Sequence, residues 1–171
     1  MANERGLAAR VANLEQRMTA VESRERVDAG EPPGNERTDR FWALNGLRSR
    51  TAGASAVLFT GRVELPDGRE YEWQQGADVG AMLDADWEAA APPLAALGHR
   101  VRLTLLQEVL AGRCTSAELA AVEGLGTTGQ LYHHIRELVA GGWLRSIARG
   151  RYEVPPNRVI ALLVILAAAE R

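Results

Sequence analysis

Along the chain the apolar positions switch between helical and strand spacing, and the switches outline the elements. Leu7, Val11, Leu14, Met18 and Val21 are spaced four, three, four, three, an a/d seam with charged residues between. That seam predicts a short coiled-coil helix over residues 1–28. It serves self-association, or it packs on its own domain. Two prolines and two glycines among charges then predict a linker over 29–37. From Thr38 a helix carries Phe41, Trp42, Leu44 and Leu47. Over 56–75 the period drops to two: Val57, Phe59, Val63 and Leu65 alternate, Pro66-Asp67-Gly68 turns, and Tyr71 and Trp73 alternate on the return. This predicts a β-hairpin. Asp78 is placed to cap a helical stretch with Met82, Leu83 and Trp87, completing an extension over 38–91.

The helical period returns at Leu94, Leu97, Val101, Leu105, Leu106 and Val109, with a break offered at Gly98-His99 and a stop at Gly112. Thr115-x-x-Glu118 and Thr127-x-x-Gln130 read as two capping boxes. The first opens the short helix SAELAAVE. The second, after the turn Gly124-Leu125-Gly126, opens TGQLYHHIRELVA, which Gly141-Gly142 ends. WLRSI, a turn at Ala148-Arg149-Gly150, and RYEV make a short two-stranded ribbon. Pro155-Pro156-Asn157 stops the ribbon and opens a last helix over 157–171. The fold class is mainly α with small β, an α+β chain. Its centre, residues 92–156, is a winged helix-turn-helix: two capped helices joined by a glycine turn, a helix before them, a ribbon after them.

In the second capped helix Leu131, Ile135 and Leu138 face inward, as Leu119, Ala120 and Val122 do in the first. The outer surface and its edges then carry Thr127, Thr128, Gly129, Gln130, Tyr132, His133 and Arg136. A recognition helix places its N-terminal residues at base edges in the major groove. Gln pairs with adenine and Arg with guanine, so these residue types suit that task. Arg145, Arg149 and Arg151 on the ribbon suit phosphate or minor-groove contact; the alternative is a solvated hairpin that touches nothing. All twenty basic residues are arginine. From Leu94 onward nine Arg face six Glu, a net +3, whereas the whole chain is −2. The basic balance therefore lies where the DNA-binding elements are read.

The run ALGHRVRLTLL, then TSAELA, then LYHHIREL, then GGWL leading into the ribbon, resembles the DNA-binding domain of ArsR-type winged helix-turn-helix transcriptional regulators. The likeness covers about residues 92–156. It implies a symmetric dimer that binds double-stranded operator DNA, usually as a repressor, and often releases it on sensing a ligand. The chain departs from the family twice. Metal-sensing members carry cysteines at the first helix of the pair, or Asp, His and Glu on the C-terminal helix. Here those segments are SAELAAVE and RVIALLVILAAAE, so sensing of the usual metal kinds is not expected. The N-terminal 90 residues are extra to the family domain. Trp42, Trp73 and Trp87, with Phe59 and Tyr71, either line an apolar effector pocket or form ordinary core.

The remaining chemistry is sparse. His133 and His134 are adjacent, so on a helix they point about 100° apart and do not chelate one ion together. No cofactor or metal is expected. Cys114 is the only cysteine, which excludes internal disulfides and cysteine-cluster zinc sites. A helix N-terminus beside it would favour its thiolate, against the plainer reading of a small loop residue. No Ser-His-Asp, P-loop or dinucleotide fingerprint is present, so no catalytic residue is assigned and an enzyme is not expected. The longest apolar run, residues 159–169, is shorter than the roughly 20 residues that cross a bilayer. The N-terminus lacks a signal-peptide pattern, so a cytoplasmic protein is expected. The C-terminal helix is apolar almost all round and must be buried on several sides. Val159, Leu162, Leu163 and Leu166 packing on a twin across a two-fold axis would do this. The expected function is a homodimeric, sequence-specific DNA-binding regulator. The alternative is a protein-interaction module on a winged-helix scaffold, which would not need basic residues on one face.

Overall fold

The computed structural model describes residues 41–170. The coiled-coil positions Leu7, Val11, Leu14, Met18 and Val21, the linker, and the Thr38 cap lie outside the described residues. The chain divides into two units at Arg50/Thr51. Of the first, residues 41–50 are described; they carry α1 (Trp42–Thr51) up to its last residue, and in it Ser49 Oγ and Arg50 Nη1 donate to the Gly46 carbonyl. Phe41, Trp42 and Leu44 are exposed rather than buried.

The second unit is mixed α and β. It opens with a hairpin, β1 (Ala56–Glu64) and β2 (Glu70–Asp78), antiparallel with Gly61 opposite Trp73 and Val63 opposite Tyr71. The turn closes through Gly68 N–H to the Leu65 carbonyl at 2.9 Å, and Asp67 accepts from both the amide and the Nε of Arg69. Asp78 ends β2 and also caps α2 (Val79–Asp84), its Oδ1 accepting from Ala81 N–H at 2.8 Å. Trp87 lies beyond α2, in a 3-10 turn (Trp87–Ala90), and its Nε1–H donates to the Met82 carbonyl. Pro92-Pro93 lies in the first turn of α3 (Ala91–Leu97).

The break at Gly98-His99 is real. His99 caps α4 (Arg100–Leu110), its Nδ1 accepting from Val101 N–H at 3.2 Å. Arg102 reaches back to the Ala95 and Ala96 carbonyls and satisfies the open end of α3. α5 (Ser116–Ala120) and α6 (Thr128–Ala140) follow, each opened by a complete capping box, at Thr115/Glu118 and Thr127/Gln130. α5 is shorter than SAELAAVE; only Leu119 of its expected inner face is fully buried, with Val122 half-buried and Ala120 exposed. Between the helices Leu125 is buried, and Gly126 takes a φ of +83° that a side chain would resist. α6 ends in a Schellman motif. Gly142 N–H donates to the Val139 carbonyl and Trp143 N–H to that of Leu138, which turns the chain and drives Trp143 into the core.

The ribbon is β3 (Arg145–Ala148) with β4 (Arg151–Glu153), and its register shifts between Ser146 and Ala148. It has a third partner that periodicity did not reveal. Thr115 bridges Arg151, Tyr152 N–H donates to the Cys114 carbonyl, and Ser116 N–H donates to the Gly150 carbonyl. The loop that opens α5 is thereby stitched to the ribbon.

The core is one cluster in which Leu105, Leu106 and Val109 of α4 meet Leu131, Ile135 and Leu138 of α6, with Leu119, Trp143, Leu144 and Val154. α7 (Pro156–Ala169) completes it. Here the structure corrects the dimer expectation at two of its four positions on the last helix. Val159 and Leu162 lie in the chain's own core, 0% and 1% exposed, and cannot be contacts with a twin. α7 also packs on both strands of the hairpin. The hairpin meets α7 at Ile160, a residue outside the four assigned to a twin. A further correction concerns the tryptophans. Trp42, Trp73 and Trp87 are 61%, 39% and 65% exposed, so they form neither the core nor a closed pocket.

Gly61 lets the hairpin approach: a Cβ there would stand 2.7 Å from Ile160 Cγ2. Ile160 is buried and cannot yield freely. Gly61→Ala is therefore expected to lower unfolding stability by about 1–3 kcal/mol. A shift of the urea midpoint at unchanged slope reads this. No change would mean that the hairpin does not rest on α7.

Candidate nucleic-acid interface

α6 is amphipathic by the same spacing that buries it. Leu131, Ile135 and Leu138 are each at most 2% exposed, while Thr128, Gly129, Tyr132, His133 and Arg136 face solvent. A Cβ built at Gly129 would meet nothing within 4 Å, so the first turn of α6 has open space beside it. The expected residues do not all stay free. Thr127 Oγ1 accepts from Gln130 N–H, and Gln130 Oε1 accepts from Thr127 N–H at 2.8 Å. Both side chains hold the cap, so Gln130 keeps only its amide Nε2 for another partner.

On the ribbon the three arginines differ. Arg145 is ion-paired with Glu153 across the strands. Arg149, in the turn, and Arg151, at the start of β4, are exposed. Arg136, Arg149 and Arg151 make no ion pair at contact distance among the described residues. Beside the Thr115 hydrogen bonds, Arg151 is still close enough to Glu118 to help hold that carboxyl below its ordinary range. Sequence reasoning missed Ser116. Its Oγ and N–H both donate to the Gly150 carbonyl and so fix the turn that carries Arg149. A Ser one residue past the Thr115 cap is a weak signal for such a tie. Two apolar residues are also exposed on these elements, Tyr132 on α6 and Ile147 at the register shift of the ribbon.

Comparison of the chain with protein-family models, with curated proteins and with solved structures finds no match.

The histidines are closer than their order suggests. His99, the cap of α4, has its ring centroid 4.6 Å from that of His134, and His133 lies 5.5 Å from His134. His133 is exposed; His134 is half-buried, with its Nδ1 enclosed and without a hydrogen-bond partner. Among the described residues no group of three or more His, Cys, Asp or Glu is set to hold a metal ion. Burial lowers the His134 pKa from its ordinary 6.5, and the neighbouring His99, His133 and Arg102 push the same way against Glu137. The unfolded chain therefore takes up this proton first on acidification. The stability that the neutral ring contributes is present above pH 6.5 and is lost as pH falls from there toward the folded value. A fall of the thermal midpoint between neutral pH and mildly acid pH is expected, and His134→Phe should flatten it. An equally steep fall in that variant would place the titration elsewhere.

Cys114 does not behave as its position at a helix start suggested. It is 7% exposed, with Sγ 3.8 Å from the Val109 carbonyl. Burial pushes its thiol above the ordinary range, against the pull of Arg69 and Arg151. It is a core residue, and its thiolate is disfavoured. Among the described residues no helix is long and apolar enough to cross a membrane.

Proposed function

We propose that the chain is a sequence-specific DNA-binding transcriptional regulator, a winged helix-turn-helix protein of the ArsR type that acts as a homodimer, in keeping with repression. α5 and α6 are the helix pair, α6 the recognition helix, and β3–β4 the wing. One observation carries the reading: α6 buries Leu131, Ile135 and Leu138 and leaves Tyr132, His133 and Arg136 outside, and the ribbon adds Arg149 and Arg151 with no carboxylate paired to them. Arg136 is the base-reading candidate, suited to guanine in the major groove. Arg149 and Arg151 suit the phosphate backbone or the minor groove, and Arg145, held by Glu153, stiffens the wing. A cytoplasmic location fits this role.

No metal is assigned to the site. An effector, if the protein senses one, is a non-metal small molecule. Affinity for a DNA duplex across a salt series tests the reading, because each phosphate contact released by salt adds to the slope. Binding that is undetectable even at low salt would transfer the fold to the interaction-module reading.

A further inference from the structure

The segment between the hairpin and α3 has no part in the helix pair or the ribbon, yet its surface is rich in large apolar side chains. Met82, Leu83, Trp87 and Leu94 are each at least 44% exposed. Their exposure is not scattered. The Trp87 Nε1–H donates to the Met82 carbonyl at 2.7 Å, which holds the indole against the end of α2. In the 3-10 turn residues three apart eclipse, so Ala90 lies in line with Trp87. Ala90 runs directly into α3, where residues four apart are neighbours, so Leu94 continues the line. One side of the chain thus leads from Leu94 past Trp87 to the end of α2. Contiguous apolar exposure of this kind marks an interaction site. Trp and Met are side chains that interface cores favour. The Trp87 ring is already held, so a partner need not order it.

The charges choose the partner. From Glu70 to His99 the chain has six carboxylates and no arginine or lysine. Arg62 takes Glu70 and Glu72. Asp84, Asp86 and Glu88 interleave with the apolar residues; all three are exposed, and none has an ion pair among the described residues. These carboxylates repel a phosphate backbone and an anionic lipid surface alike. The complement of an apolar, acidic surface is an apolar, basic one.

We propose that residues 82–94 form a docking surface for a basic amphipathic helix of a different protein. The apolar face of that helix covers Leu83, Trp87 and Leu94, and its cations meet Asp84, Asp86 and Glu88. The surface lies on other elements than α6 and the ribbon, so the proposal does not rest on the DNA-binding reading.

The probe is a labelled synthetic helix of about five turns, with leucine on one face and arginine on the other, titrated with the full chain and read by fluorescence anisotropy. The control carries glutamate in place of arginine. The arginine peptide should bind at least tenfold tighter than the control. Leu83→Ser and Trp87→Ala should each weaken it by about tenfold. Asp84→Asn/Glu88→Gln should weaken it at low salt and flatten its salt dependence. The substituted side chains are exposed, so the variants should fold, and the thermal midpoint checks this; Leu83→Ser keeps the Trp87 hydrogen bond and decides the matter if Trp87→Ala does not fold. Equal affinity for the two peptides, or arginine-peptide binding that neither Leu83→Ser nor Trp87→Ala changes, would overturn the proposal. So would self-association of the full chain that Leu83→Ser abolishes in sedimentation, which would give the surface to a second copy. The expected peptide results with absent DNA binding would keep the docking surface and remove the regulator reading; peptide binding that fails beside intact specific DNA binding would do the reverse.

Discussion

Trp143→Ala should lower unfolding stability by about 3–5 kcal/mol, among the largest effects available to a single substitution in this core. Trp143 is 2% exposed and sits at the joint where α6 turns into the ribbon. Its amide closes the Schellman motif on Leu138, and its Nε1–H donates to the Pro93 carbonyl at 2.7 Å, tying α3 to the end of α6. The Arg158 guanidinium of α7 lies 5.0 Å from the ring centroid. One side chain thus joins α3, α6 and α7. Trp143→Phe keeps an aromatic ring but strands the Pro93 carbonyl, so a smaller loss of about 1–3 kcal/mol is expected. Equal losses for Ala and Phe would mean that the hydrogen bond, not the packing, anchors the joint.

The second large effect concerns DNA. Arg136→Ala and Arg149→Ala should weaken operator binding for different reasons. Arg136 on α6 is assigned to a base edge, so its removal should cost about 1–3 kcal/mol and relax specificity at one base pair. Arg149 in the ribbon turn is assigned to the backbone. Its removal should weaken binding to every sequence alike and reduce the salt slope by about 1. The two assignments exchange if the slope changes with Arg136 and the specificity with Arg149. In the double variant both losses are expected together.

Much of the local structure was legible because short-range chemistry writes it. Thr115/Glu118 and Thr127/Gln130 are reciprocal caps within four residues, and both formed. The glycine pair 141–142 closed α6, and Pro66-Asp67-Gly68 turned the hairpin. What failed was long-range. The approach of His99 to His134 depends on how α4 and α6 pack, which no spacing encodes. A twin was assigned to α7 because a helix apolar almost all round needs cover on several sides; the chain's own core supplies it at Val159 and Leu162, and the hairpin at Ile160. A signal did exist: Gly61 interrupts an otherwise regular strand, and a mid-strand glycine marks a close approach of another element. The tryptophans misled for a different reason. Large aromatics usually bury, but Trp73 lies on a hairpin face that is partly open, and Trp87 follows the end of α2. The outward residues of α6 follow directly from its period. Thr127 and Gln130 double as cap and candidate contact, a conflict that the capping pattern already contained.

The most direct measurement compares binding of the full chain to its own upstream DNA with binding to random duplex of equal length, over a salt series, beside the Arg136→Ala/Arg149→Ala variant. The account predicts a preference for the upstream fragment that persists as salt rises and that the variant loses. Equal affinity for both fragments, unaffected by the variant, would contradict it.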